Sequence, residues 1–252
     1  MPDFHHILLD VALIQGVDAD AAREIKWFEG RSDEHLSLGS QAVRALVLGK
    51  RRDAAELLKR AADVAERRGL RGLAERWRQA SLANPYGDCQ DDTGDFVRAC
   101  ADIETELRDA ETRLKRRPDD GILAAVRVPA RRASIELRRN VPARALELLQ
   151  AAAPFERRYP EVVYMRGLAL LQMGRYDQAR VEFQKIVDHR GAAWGARYPL
   201  AILGAARAAS RSGDIVAAQK SYDEFLRMWK DADPDLPVLA EAKREFAALG
   251  AP

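Results

Sequence analysis

Apolar positions along the chain recur at helical spacing, and five stretches share one register: a glycine or asparagine, an alanine five residues later, and a large apolar residue four beyond that. They are Gly16/Ala21/Ile25, Gly49/Ala54/Leu58, Asn140/Ala145/Leu149, Gly174/Ala179/Phe183 and Gly213/Ala218/Tyr222. Each predicts a helix, a tight turn and a second helix, since glycine takes the left-handed conformation without cost and asparagine tolerates it. The fullest example is Tyr164–His189. There Gly167 should face Ala179 at the closest approach of two antiparallel helices, and Gly174 should end the first of them. Tyr176 and Phe183 should fill the space that the small residues leave. A single such pair cannot bury its own apolar face, so neighbours stacked on it are expected.

The interval from Gly16 to Gly49, like that from Asn140 to Gly174, is about 34 residues, and Gly174 to Gly213 is slightly longer. Between Gly49 and Asn140 the register weakens, with Gly94/Ala99/Ile103 standing about 45 residues from either neighbour. The breaker clusters Asn84–Asp88 and Asp91–Asp95 predict a long connection, and Pro118–Gly121 a turn, with Asp119 or Asp120 capping a helix that begins near Ile122. The expected organisation is N-terminal helical repeats over 1–85, an irregular connection and helix over 86–121, a C-terminal array over 122–235 and a capping helix over 236–250. That last helix carries Val238, Leu239, Ala242, Phe246 and Leu249 on one face and Glu241, Lys243, Arg244 and Glu245 on the outer one. It should cover a ridge of Tyr222, Phe225, Leu226 and Trp229.

Composition narrows the class to all-α, because alanine, leucine and arginine dominate and no run of alternating Val, Ile and Thr is present to build a sheet. The net charge is +2, yet Asp88–Asp120 is mostly acidic and Arg127–Arg158 mostly basic, which favours locally charged surfaces over a general polyanion binder. Lys50-Arg51-Arg52 and Lys115-Arg116-Arg117 lack interleaved aromatics and read as charged helix ends, so no nucleic-acid partner is expected. Cys89 and Cys100 have neither zinc-ligand spacing nor companion histidines, and a disulfide between them is open; no metal or other cofactor is implied. His5, His6, His35 and His189 have no cysteine nucleophile or serine elbow nearby, so no enzyme is expected. No apolar run approaches the ~20 residues of a membrane span. Asp3 and Asp10 stand where a secretion signal would carry positive charge, so the expected location is cytoplasmic, with no membrane insertion.

YMRGLALLQMGRYDQARVEFQKIVDH resembles a tetratricopeptide repeat. With ARALELLQAAAPFE before it and YDEFLRMWKDADPDLPVLAEAKREFAAL after it, the run Ala143–Leu249 resembles the C-terminal tetratricopeptide region of bacterial eukaryotic-like serine/threonine kinases, and of winged-helix regulators with the same appendage. WKDADPDLPVLAEAK is the most specific part. The resemblance implies a tetratricopeptide-type α-solenoid of antiparallel helix pairs with a C-terminal capping helix, acting as an interaction or sensing module in bacterial signalling. The sequence has no glycine-rich ATP loop, H-R-D loop or D-F-G motif, so kinase activity does not carry over. The expected function is a non-catalytic scaffold that binds protein or peptide segments. The alternative is the regulatory C-terminal region of a serine/threonine kinase whose catalytic domain lies outside this chain; if that kinase is membrane-anchored, the resemblance implies an extracytoplasmic location instead of a cytoplasmic one.

By the register, the first helix of each pair presents one face to a concave groove: Arg127, Ser134, Leu137 and Arg138, then Tyr164, Leu168, Leu171 and Gln172, then Leu203, Arg207, Ser210 and Arg211. Such a face either grips an acidic segment, with arginines as forked donors and Tyr164 as an apolar anchor, or is simply solvated. The paired asparagine and lysine that clamp a terminal carboxylate in chaperone-binding repeats are missing. Arg131-Arg132-Ala133-Ser134-Ile135 matches a basophilic kinase site, although Ser134 is expected mid-helix, where a kinase could not bind it extended.

Overall fold

The computed structural model describes residues 1–82 and 94–250, with side chains described over 1–80 and 103–250. The breaker cluster Asn84–Asp88, Cys89 and the side chain of Cys100 lie outside the described residues. Among those described the fold is all-helical, with 13 α-helices and no strand. The chain divides into two compact units, the first made of Met1–Pro85, Trp194–Ala196 and Met228–Leu236, the second of Tyr86–Ala193, Arg197–Arg227 and Pro237–Pro252.

The first unit contains α1 (Pro2–Gln15), α2 (Asp18–Phe28), α3 (Glu34–Val47), α4 (Arg51–Arg67) and α5 (Arg71–Leu82). Helix α1 packs on α2, α3 on α4 and α4 on α5, while α1 also meets α3. The turns carry the predicted glycines, Gly16 and Gly49, both with positive φ. In each the next residue closes the helix with a backbone bond back to its fifth predecessor, Val17 to Ala12 and Lys50 to Ala45, which is the Schellman closure. A third turn of this kind, Gly69 with Leu70 bonded to Ala65, escaped the register because Arg78 stands where the large apolar residue was sought. The alanine of the pattern, Ala74, is nevertheless fully buried there.

The segment Met228–Leu236, which the sequence pattern assigned to the C-terminal array, belongs to this first unit. Trp229 was expected on the ridge beneath the capping helix; instead it is 1% exposed and donates its indole N–H to the Val47 carbonyl at 3.0 Å. It can enter because position 49 is glycine. A Cβ there would stand 2.5 Å from Ala232 Cβ and 2.9 Å from the indole. Asp233 completes the joint, its N–H donating to the Gly49 carbonyl and its carboxylate accepting from the Arg52 N–H, each at 3.0 Å, while Arg52 pairs with Asp235 at 2.8 Å.

The second unit contains α6 (Gly94–Arg116), α7 (Val128–Arg138), α8 (Pro142–Leu149), α9 (Pro160–Gln172), α10 (Tyr176–Asp188), α11 (Arg197–Ser212), α12 (Ile215–Met228) and α13 (Pro237–Leu249). The turns at Asn140, Gly174 and Gly213 repeat the positive φ and the same closure. Ala145, Ala179 and Ala218 are fully buried, and Leu149, Phe183 and Tyr222 are at most 1% exposed. Helix α7 packs on α8, α8 on α9, α9 on α10 and α10 on α11; in addition α9 meets both α7 and α11, so these three lie side by side. One expectation changes in detail. The neighbour of Gly167 is the Phe183 ring rather than Ala179, and Gly204 of α11 meets the same ring: a Cβ at either glycine would fall 2.6–2.7 Å from it.

Ahead of α7 the chain forms a π-helical turn, Leu123–Arg127, opened by Asp120, whose carboxylate accepts the Leu123 N–H at 2.9 Å. Pro129 has no N–H to give, which removes one of the bonds that would hold the following turn in α geometry.

Candidate functional site

The side-by-side helices α7, α9 and α11 wall a cavity of about 350 Å³ in the second unit. Of the residues predicted for the groove, Ser134 and Arg138 come from α7, Tyr164, Leu168 and Gln172 from α9, and Arg207 and Arg211 from α11; Leu137 and Leu171 join them. Spacing within one helix explains this convergence, since residues three, four and seven apart share a face. Leu203 and Ser210, placed on the same face by the register, are not among its lining residues.

Arg127 does not reach the cavity and is a correction. It sits in the π-helical turn, where the wider winding swings it off the face that α7 continues. It borders a different depression of about 440 Å³, together with Arg113, Arg116, Arg117 and Asp120.

Sequence reasoning missed five polar contributors to the first cavity, Arg131, Glu161, Arg197, Glu241 and Glu245. Arg131 is already paired with Glu106 at 2.6 Å. Arg197 lies over the ring of Tyr164, 4.9 Å from its centroid, a cation–π contact that a register confined to the repeat could not anticipate. Glu241 and Glu245 were assigned to the outer face of α13 and turn inward instead. Arg207 donates through Nε to both carboxylate oxygens of Glu245, at 3.1 and 2.9 Å, and through Nη2 to Glu241 at 3.1 Å. The Tyr222 hydroxyl donates to Glu245 at 3.0 Å. Burial opposes the charge of Arg207, but the bonds to Glu245 outweigh it and raise the guanidinium pKa above its usual value. The Tyr222 hydroxyl is likewise pushed up, first by burial and then by the neighbouring carboxylate.

The α13 helix does lie on α12 in part as predicted, with Phe246 5.9 Å from Tyr222, ring to ring, and with Leu239 and Ala242 buried. Ser134 is half-buried in α7, mid-helix.

The first unit brings together residues that the sequence left scattered. His6 Nε2 lies 3.0 Å from Ser40 Oγ and 3.7 Å from Asp10, and Ser40 donates to Asp10 at 2.5 Å. In a hydrolytic triad the imidazole takes the serine proton and the acid holds the other ring nitrogen. Here Ser40 donates to the acid and His6 lies within hydrogen-bond distance of the same hydroxyl, an arrangement that differs from that relay and ties α1 to α3. Beside it, buried Glu24 accepts from His5 at 2.6 Å and from Arg23 at 3.2 Å, while His5 stacks on Trp27. Burial would raise the Glu24 pKa, but those two bonds bring it below the ordinary carboxylate value. Burial also pushes His35 below the usual imidazole range.

Among the described residues no group of three or more His, Cys, Asp and Glu is placed to hold a metal ion. No helix among them is long and apolar enough to cross a membrane. No family model matches the chain, and no curated protein matches it.

Proposed function

We propose that this chain is a non-catalytic scaffold of the tetratricopeptide type, whose α7–α9–α11 groove binds an acidic segment of a partner protein. The observation that carries the reading is the lining of one cavity by five arginines, at positions 131, 138, 197, 207 and 211, around the buried ring of Tyr164. Arginine is suited to this because its planar fork matches a carboxylate bidentately and its stem tolerates partial burial. The repeated closure of left-handed residue, alanine and large apolar residue supports the family type, since the same local solution recurs at Gly16, Gly49, Asn140, Gly174 and Gly213. Neither a cofactor nor a nucleic acid is needed for such binding.

A random peptide library panned against the full chain tests the reading. Acidic sequences should be enriched, and R131E/R211E should weaken their binding by about tenfold or more, in the range of charge pairs at an interface. Circular dichroism checks that the variant stays helical. Enrichment of neutral or basic sequences, or binding indifferent to the charge reversal, would sink the proposal.

A further inference from the structure

Helix α13 meets the cavity with two carboxylates one turn apart, and the contact is asymmetric. Glu241 and Glu245 are i and i+4, so both project from one face and converge on one guanidinium. The Arg207 side chain is only 19% exposed, whereas Glu241 and Glu245 are 45% and 36% exposed. The cation is built into the scaffold, and the anions that meet it stand partly in water. Farther along the groove, Arg138, Arg211 and Tyr164 offer the same recognition types. There too, Gln172 donates its amide to the Leu137 carbonyl at 3.2 Å, while its own buried carbonyl oxygen has no hydrogen-bond donor.

We infer that α13 is an in-cis occupant of the groove, and that the exchangeable ligand is an amphipathic helix carrying two carboxylates one turn apart. This rests on the reading of the cavity as a partner groove and adds what the partner looks like and how access is regulated. The partner helix sets its two carboxylates on Arg207 in place of Glu241 and Glu245, lays its apolar face where Phe246 meets Tyr222, and supplies a donor to Gln172. A tethered competitor acts at high effective concentration, and the affinity of a free ligand falls by the fraction of molecules whose groove is open. Weakening α13 must therefore strengthen binding in trans.

The probe is a fluorescein-labelled peptide with the sequence of residues 237–249, together with a copy carrying glutamine at both glutamate positions. Anisotropy titrations use the full chain as wild type, as E241Q/E245Q and as R207A/E241Q/E245Q. The E241Q/E245Q chain should bind the acidic peptide about fivefold more tightly than wild type, the gain expected when a tethered competitor loses two partly exposed ion pairs. The glutamine copy should not bind, and R207A should erase the gain. Hydrogen exchange on the wild-type chain gives a readout free of any variant: saturating peptide should speed exchange of the α13 amides. Equal affinity of wild type and E241Q/E245Q, or α13 exchange unchanged with peptide bound, overturns the occupancy while leaving the groove intact as a binding site. If the peptide binds no form of the chain, the inference falls, and the groove reading stands or falls on whether R131E/R211E-sensitive acidic peptides emerge from the library.

Discussion

Met228–Leu236 and α13 follow one another along the chain, yet each belongs to a different unit and meets it in a different way. The first is fixed by shape. Trp229 fills a space that only a glycine at position 49 leaves open, and its N–H, the Asp233 backbone and the Asp233 carboxylate all meet backbone groups of the α3–α4 turn. The second buries Leu239 and Ala242 but meets the cavity through charge, by side chains whose carboxylates remain one-third or more in water. Apolar burial scales with area and has no substitute in solvent, while an exposed ion pair trades one set of partners for another at little net cost. The difference teaches which part of the tail is structural and which is exchangeable.

Removing the structural part should have the largest effect. Trp229→Ala leaves a cavity and an unpaired Val47 carbonyl, and should cost about 3–5 kcal/mol, the usual range for a buried large aromatic. Urea unfolding of the full chain measures it, and a loss below about 1 kcal/mol would mean that the tail is only loosely joined to the first unit.

Next in size is Gly167→Leu, which asks whether the scaffold behind the groove is packed as tightly as the Trp229 joint. The new side chain meets the Phe183 ring at once, and that ring is also held by Gly204, so it has no room to retreat. Destabilisation of about 1–3 kcal/mol or more is expected. An unchanged melting temperature would show that Phe183 can move, and with it the groove.

The smallest effect should come from E241Q/E245Q, at most about 1 kcal/mol in the same unfolding experiment, in keeping with carboxylates this exposed. A loss as large as that of Trp229→Ala would erase the contrast. It would make α13 an integral part of the second unit and remove the basis for exchange.

What the sequence determined by itself was everything set within about ten residues. A left-handed residue, an alanine five later and a large apolar residue four beyond it are fixed relative to one another by helix geometry alone, so the turns at Gly16, Gly49, Asn140, Gly174 and Gly213 could be read directly, and with them the face that presents Arg138, Tyr164 and Arg207. Failures began where that local geometry changed or ended. Arg127 left the face because Pro129 and a π-helical turn altered the winding, and the Gly69 turn was hidden by an arginine at a position where packing usually wants an apolar group. Tertiary structure alone decided where the tail would go. Trp229 bonds to a carbonyl 182 residues away, and no local pattern distinguishes a tryptophan that covers its own repeat from one that fills a gap beside a distant glycine. Nor could α13 declare that Glu241 and Glu245 turn inward, because the side on which a charged helix face is buried depends on the guanidinium waiting there, and Arg207 lies on another helix.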